Sequence, residues 1–208
     1  MILFTGDAYI DHPAFGPAVI GRILEAEGYR VAIVPQPNWR DDLRDFKKLG
    51  KPRLFFAVSA GAMDSMVNHY TANKRLRSND AYTPEGKAGF RPDYACSVYS
   101  KILKDLYPDV PVVIGGIEAS LRRFGHYDYW ADRLKESILL DSKADILVYG
   151  MAEKSMAELA HKYHEGASRE EILSTPQIAY LSAAKQVDIE LSPFEECLKD
   201  KRKQAINF

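Results

Sequence analysis

Five short apolar runs recur along the chain between stretches with helical spacing: residues 2–5 (ILFT), 30–34 (RVAIV), 54–58 (LFFAV), 112–114 (VVI) and 146–149 (ILVY). This alternation constrains the fold more than any other feature. Near-continuous apolar strands are buried on both faces, which requires helices above and below a mostly parallel sheet. The spacing predicts a doubly wound α/β domain over residues 1–165, a Rossmann-like, mainly parallel five-stranded sheet in the order 2-1-3-4-5. Val19, Ile20, Ile23 and Leu24 stripe the first helix, and Pro17 suits its first turn. Asp64 reads as a cap for a helix carrying Met63, Met66, Val67 and Tyr70. Asp93 reads as the cap of the most regular helix, with Ala95, Val98, Tyr99, Ile102, Leu103 and Leu106 on one face. Ser168 and Glu171 form a capping-box pattern. Residues 73–91 lack periodicity and read as a long loop. Beyond residue 165 the pattern weakens. Residues 178–181 and 187–191 read as an antiparallel strand pair, and residues 199–208 as a helix. Residues 166–208 are therefore expected to be a truncated connector.

Composition excludes several classes. The 208 residues carry 28 Lys+Arg and 29 Asp+Glu, a net charge of -1. That balance argues against nucleic-acid binding through overall charge, although a local patch of Arg75, Arg77, Arg122 and Arg123 remains an alternative. No apolar run reaches the roughly 20 residues of a membrane span. No signal-peptide pattern opens the chain, which points to a cytoplasmic protein. Cys96 and Cys197 alone suggest no disulfide framework.

In such a sheet, ligands sit outside the carboxyl ends of the strands. The loops there hold Gly6, Asp7, His12 and Gly16; Ser59, Gly61 and Asp64; Gly115, Gly116, Glu118 and Ser120; and Gly150 with Glu153. Glycine permits close backbone approach to a ligand, so the residues named in the first three of these groups, with His126 and Asp128, are the candidate ligand-binding set, although loops between strands and helices use glycine and caps anyway. No residue is assigned a catalytic role or a metal. Asp7, Asp11 and His12 could ligate a metal, but lack a distant partner. His69 reads as structural. There is no P-loop, no G-x-G-x-x-G after a strand and no nucleophile elbow. Residues 121–130 (LRRFGHYDYW) combine two arginines with four aromatics. They suit stacking on a planar ligand or a plug at a domain interface. We expect His126 and Asp128 to point into the crevice from a loop over it, with Trp130 at least half buried and an apolar patch left exposed.

The stretches TGDAYIDHPAFGPAVIGRILEAEGYRVAI, AGAMDSMVNHYTANK, SNDAYTPEGKAGFRPD, GGIEASLRRFGHYDYWAD and SILLDSKADILVYGMAE resemble the N-terminal part of the YgiQ family of radical SAM proteins. The resemblance runs from about residue 2 to residue 155. It implies a radical SAM core, absent from this chain, in which a CxxxCxxC motif holds a [4Fe-4S] cluster and S-adenosylmethionine. Two cysteines 101 positions apart cannot supply that ligand set. The resemblance therefore implies an accessory domain whose partner is the core of the same polypeptide, inactive alone and with an unknown substrate. The alternative is a stand-alone module for a small molecule such as cobalamin or a nucleotide. HPAFGPAVIGRILEAEGYRV and ADILVYGMAE also resemble the cobalamin-binding domains that precede many radical SAM cores. The Asp-x-His-x-x-Gly signature is absent, because Asp11 and His12 are adjacent and Gly16 lies four residues after His12.

Overall fold

The computed structural model describes residues 1–8, 16–184 and 187–207. In chain order, β1 (Ile2–Thr5) leads to α1 (Gly16–Ala26), β2 (Ala32–Pro35), α2 (Arg44–Lys47), β3 (Phe56–Ser59) and α3 (Ser65–His69). A long loop with one 3₁₀ turn at Pro84–Gly86 precedes α4 (Ala95–Leu106), β4 (Val112–Gly115) and α5 (Gly116–Leu121). Strands β5 (His126–Asp128) and β6 (Arg133–Lys135) form a separate antiparallel hairpin. Next come α6 (Ile138–Ser142), β7 (Ile146–Val148), α7 (Glu153–His164), α8 (Arg169–Leu173), β8 (Ile178–Ala179), α9 (Phe194–Lys199) and α10 (Lys201–Ile206).

The five apolar runs pair in parallel in the predicted order, β2-β1-β3-β4-β7. A sixth strand, β8, extends the sheet antiparallel to β7. Strand periodicity divides the core into two layers. Ile2, Phe4, Phe56, Val58, Val112, Ile114 and Leu147 face the side covered by α4 and α6, where Phe46, Tyr99 and Leu103 fill the layer. Leu3, Ala57, Val113, Ile146 and Val148 face the other side, against Leu24 of α1 and Met156, Leu159 and Ala160 of α7. Phe4 stacks on Phe46 at 5.1 Å between ring centroids. Burying one such side chain stabilises the fold by about 1.5–3 kcal/mol.

Three local expectations change. Residues 178–179 pair with β7, whereas residues 187–191 contain no strand among those described; Val187 and Ile189 are exposed, so that alternation has no core to face. The 124–130 segment is not a simple loop, since its centre is one arm of the β5–β6 hairpin. Asp93 does not cap α4. Its carboxylate is taken by His69 and Tyr70, and Tyr94 occupies the cap position in a left-handed conformation. Asp64 does cap α3, accepting from the Met66 and Val67 N–H groups, and the Ser168–Glu171 capping box is formed. Among the described residues, no helix is long and apolar enough to cross a membrane.

Candidate functional site

The carboxyl ends of β1, β3, β4 and β7 converge on a cavity of about 340 Å³. Gly16, Ser59, Gly61, Gly115 and Gly116 line it, so the structure brings five of the candidate residues together. Its apolar wall comes from Ile20 of α1, Ile117 of α5, Met151, and Met156 of α7. Glu153 adds a carboxylate. Val19, Ile117 and Met151 at its rim are exposed, Met151 to 75%. The sequence missed Ile20, Met151 and Met156, which read there as ordinary helix and loop residues.

Most glycines at this edge serve internal packing. A Cβ on Gly6 would lie 2.2 Å from the Ala60 carbonyl oxygen, and one on Gly61 would lie 2.1 Å from the Asp7 carboxylate. Gly61 and Gly116 also have positive φ, +109° and +82°. Gly16 differs: nothing lies within 4 Å of its Cβ position, on the cavity wall.

Asp7, Asp64 and Glu118 stand beside the cavity in buried polar networks. Asp7 accepts the Ala62 N–H at 2.7 Å and pairs with Arg91 at 3.0 Å, tying the loops after β1 and β3 together. Burial pushes its carboxyl above the usual range, against the opposing pull of Arg91 and the Ala62 N–H. Glu118 is fully buried between two helix starts. Oε2 accepts the Ser65 N–H at the start of α3, at 2.9 Å, and the Ser65 hydroxyl. Oε1 accepts the Cys96 N–H in the first turn of α4, at 2.8 Å. Free N–H groups at helix starts need such acceptors. Burial, then repulsion from Asp64, raises the Glu118 carboxyl. Asp64 pairs with Arg122, whose guanidinium lies 5.4 Å from the Tyr94 ring centroid. Burial also pushes the Cys96 thiol up, with Glu118 adding to the effect. Ser120 accepts the Gly150 N–H at 3.2 Å, joining the loops after β4 and β7.

His126 and Asp128 do not face the 340 Å³ cavity. His126 lines a different, polar cavity with Tyr94, Arg122 and Lys135. Asp128 is buried, accepting from Tyr94 at 2.8 Å and Ala131 N–H at 2.8 Å, and pairing with Lys135 at 3.1 Å. Hairpin pairing and these bonds turn both side chains toward α4. Trp130 is more than half buried, while Phe124, Tyr127 and Tyr129 remain exposed. His12 lies outside the described residues. Among the described residues, no group of three or more His, Cys, Asp or Glu could hold a metal ion.

The sequence profile of the family described as Radical SAM N-terminal matches residues 1–208. A UPF0313 protein of Bacteroides thetaiotaomicron is 62% identical over 224 residues, covering 100% of this chain and 36% of that protein. A UPF0313 protein of Porphyromonas gingivalis is 63% identical over 214 residues, covering 100% of this chain and 34% of that protein. This chain thus spans about a third of the length of these curated relatives. Among solved structures, the radical S-adenosylmethionine methyltransferase TsrM from Kitasatospora setae, with tryptophan substrate and a SAM analogue bound, aligns with a TM-score of 0.56 at 19% identity, over 88% of this chain and 28% of that one. TsrM with cobalamin and a [4Fe-4S] cluster bound aligns with the same score. At that identity the likeness is one of fold.

Proposed function

This chain belongs to the radical SAM N-terminal family, and from that membership we propose that it is the accessory domain of a radical SAM enzyme, working against a catalytic core in the same polypeptide. The observation that carries the reading is the carboxyl-edge cavity with its exposed apolar rim of Val19, Ile117 and Met151. An exposed apolar rim around a concave site marks a surface meant to be covered. We divide the chain at about residue 165, with the remainder acting as the connector.

The core would supply the cluster, S-adenosylmethionine and the radical they generate. Nothing among the described residues fits the cluster. Its cysteines are both free and buried in separate places, Cys96 near the Gly115 carbonyl and Cys197 near the Ser192 carbonyl, and a cluster is held by grouped thiolates. The residues of this chain have a different task. Ile20, Ile117, Met151 and Met156 would exclude water from the reacting face and seat an apolar part of the substrate. Ser59 and Glu153 would orient it by hydrogen bonds. Asp7, Asp64 and Glu118 hold the loops that carry these groups.

Hydrogen exchange tests the reading on a UPF0313 protein that carries both this region and the core. The loops at residues 59–65, 115–121 and 150–153 should exchange more slowly there than in the 208-residue chain. Ile117→Asp with Met151→Asp should abolish that protection and leave the cluster absorbance unchanged. Equal exchange in the two proteins would contradict the proposal. So would cluster formation and S-adenosylmethionine cleavage by the 208-residue chain alone.

The cavity itself favours a second reading, a module that binds a small molecule unaided. Its volume sits at the low end of the roughly 300–1,000 Å³ of ligand pockets. Cobalamin fits the described residues poorly: none of the histidines among them lines the cavity, and a corrin with its nucleotide tail is far larger. A nucleotide or smaller apolar group suits it better. Thermal shift of the 208-residue chain with cobalamins, nucleotides and S-adenosylmethionine separates the readings. Saturable stabilisation by one of them supports the module.

A further inference from the structure

A second cavity, of about 430 Å³, lies between the loop after β2, the end of α3 and the segment leading to α4. We propose that it binds a small amphipathic anion, with an apolar or planar body against Trp39, Leu76 and Val98 and a carboxylate or phosphate head on Arg40 and Arg77. This goes beyond the accessory role and does not depend on it.

The charges around the cavity carry the inference. Arg77 is held in place by its backbone N–H, which donates to the His69 carbonyl at 2.7 Å, and by Nε, which donates to the Tyr70 carbonyl at 3.2 Å. Its two terminal nitrogens have no partner among the described residues. The Arg40 guanidinium lies 4.5 Å from the Trp39 ring centroid and pairs with no carboxylate among the described residues. Arg91, the third arginine of the wall, is already paired with Asp7 and Asp80. Asp93 is the one acid in the wall among the described residues, and both its oxygens are engaged: Oδ1 with His69 Nδ1 at 2.6 Å and Oδ2 with the Tyr70 hydroxyl at 2.9 Å. Two guanidinium groups therefore line a cavity whose one carboxylate among the described residues is already engaged by His69 and Tyr70 of the same wall.

The remaining wall suits the body of such a ligand. Trp39 is a fixed surface, because its Nε1–H donates to the Phe90 carbonyl at 3.0 Å. Leu76, Ala88, Pro92 and Val98 complete a mostly apolar lining. An apolar pocket with a few convergent polar groups is the usual form of a small-molecule site, and guanidinium groups recognise carboxylate and phosphate in paired hydrogen bonds. His69, buried in the same wall, leaves Nε2 with no partner.

Calorimetry on the 208-residue chain tests this with 2-naphthoate and adenosine 5′-monophosphate, each beside its uncharged counterpart, 2-naphthalenemethanol or adenosine. At least one anion should bind saturably and more tightly than its neutral partner. Arg40→Gln with Arg77→Gln, both exposed and therefore tolerated by the fold, should weaken it by about tenfold or more, the lower range for losing a charge-assisted hydrogen bond. Ile20→Trp, which fills the other cavity, should leave it unchanged. The proposal fails if neither anion binds, if the double arginine variant binds as well as the parent, or if Ile20→Trp abolishes binding. It also fails if only an RNA oligonucleotide binds, with the steep salt dependence of phosphate-backbone contacts.

Discussion

Arg91 grips Asp80 through two hydrogen bonds, Nε to Oδ2 at 3.1 Å and Nη2 to Oδ1 at 3.2 Å, with both side chains closed to solvent. Its remaining nitrogen, Nη1, donates to the Ala60 carbonyl at 2.9 Å and sits 3.0 Å from Asp7. One guanidinium thus joins the 73–91 loop to the strand ends that frame the carboxyl-edge cavity.

Removing that guanidinium leaves two carboxylates with no counter-charge. Arg91→Met should destabilise the chain by about 3–5 kcal/mol, the cost of breaking a buried ion pair from one side. Arg91→Lys keeps the charge but loses the fork, and should fall between the parent and Arg91→Met. Urea denaturation measures both. A loss below about 1 kcal/mol for Arg91→Met would show that the latch contributes little.

Glu118 gives a prediction with a definite sign. Its carboxyl is raised by burial and then by Asp64. A raised acid binds its proton more readily in the folded state, so its contribution to stability falls as pH rises from about 4.5, its unfolded value, through the higher folded one. Glu118→Gln removes that slope. It also sets an amide donor against the Ser65 and Cys96 N–H groups, which need acceptors. The variant should be less stable by about 1–3 kcal/mol, the cost of an unsatisfied buried group. The gap between parent and variant should narrow as pH rises. A gap that widens with pH would reverse the assignment.

The contrast between Glu118 and the strands shows what is legible in such a sequence. The parallel order was legible because LFFAV and ILVY bury both faces and leave one architecture open. The hairpin was not, because His126–Asp128 and Arg133–Lys135 are three-residue strands with polar or charged ends. Strand β8 has two residues, too few for periodicity. Glu118 was legible as a loop acid at the right edge, but its partners, Ser65 and Cys96, are 53 and 22 positions away. Asp93 sat where a cap belongs, and His69, 24 positions earlier, took its carboxylate. The glycines misled in a physical way: an approach to Asp7 or Ala60 requires the same missing Cβ as an approach to a ligand.

Those glycines can be ranked. At Gly61 a Cβ would meet the Asp7 carboxylate, which Ala62 and Arg91 fix in place. At Gly116 it would meet the Ser59 hydroxyl at 2.8 Å, the end of a small side chain that can rotate. Both positions add a backbone penalty of about 1–3 kcal/mol at positive φ. Gly61→Ala should therefore cost clearly more than Gly116→Ala in thermal unfolding. Ser59→Ala should recover part of the Gly116→Ala loss and none of the Gly61→Ala loss. Equal costs at the two sites would mean that Asp7 moves freely, against the buried network described above.

His126 supplies the opposite pH dependence to Glu118. Burial lowers its affinity for a proton, and the Arg122 and Lys135 charges act in the same direction. The Phe124 carbonyl, 3.1 Å from Nδ1, and Asp128 offset only part of this. A base whose folded value lies below 6.5 is protonated more readily in the unfolded chain. Its contribution to stability is complete above pH 6.5 and is lost as pH falls from there through the folded value. Unfolding midpoints for the parent and His126→Gln, taken from pH 8 down to 5, should diverge in that window, with the parent losing more. The imidazole protons of His126, followed by NMR, should titrate below 6.5. A midpoint above 6.5 would mean that Asp128, and not burial, governs this ring.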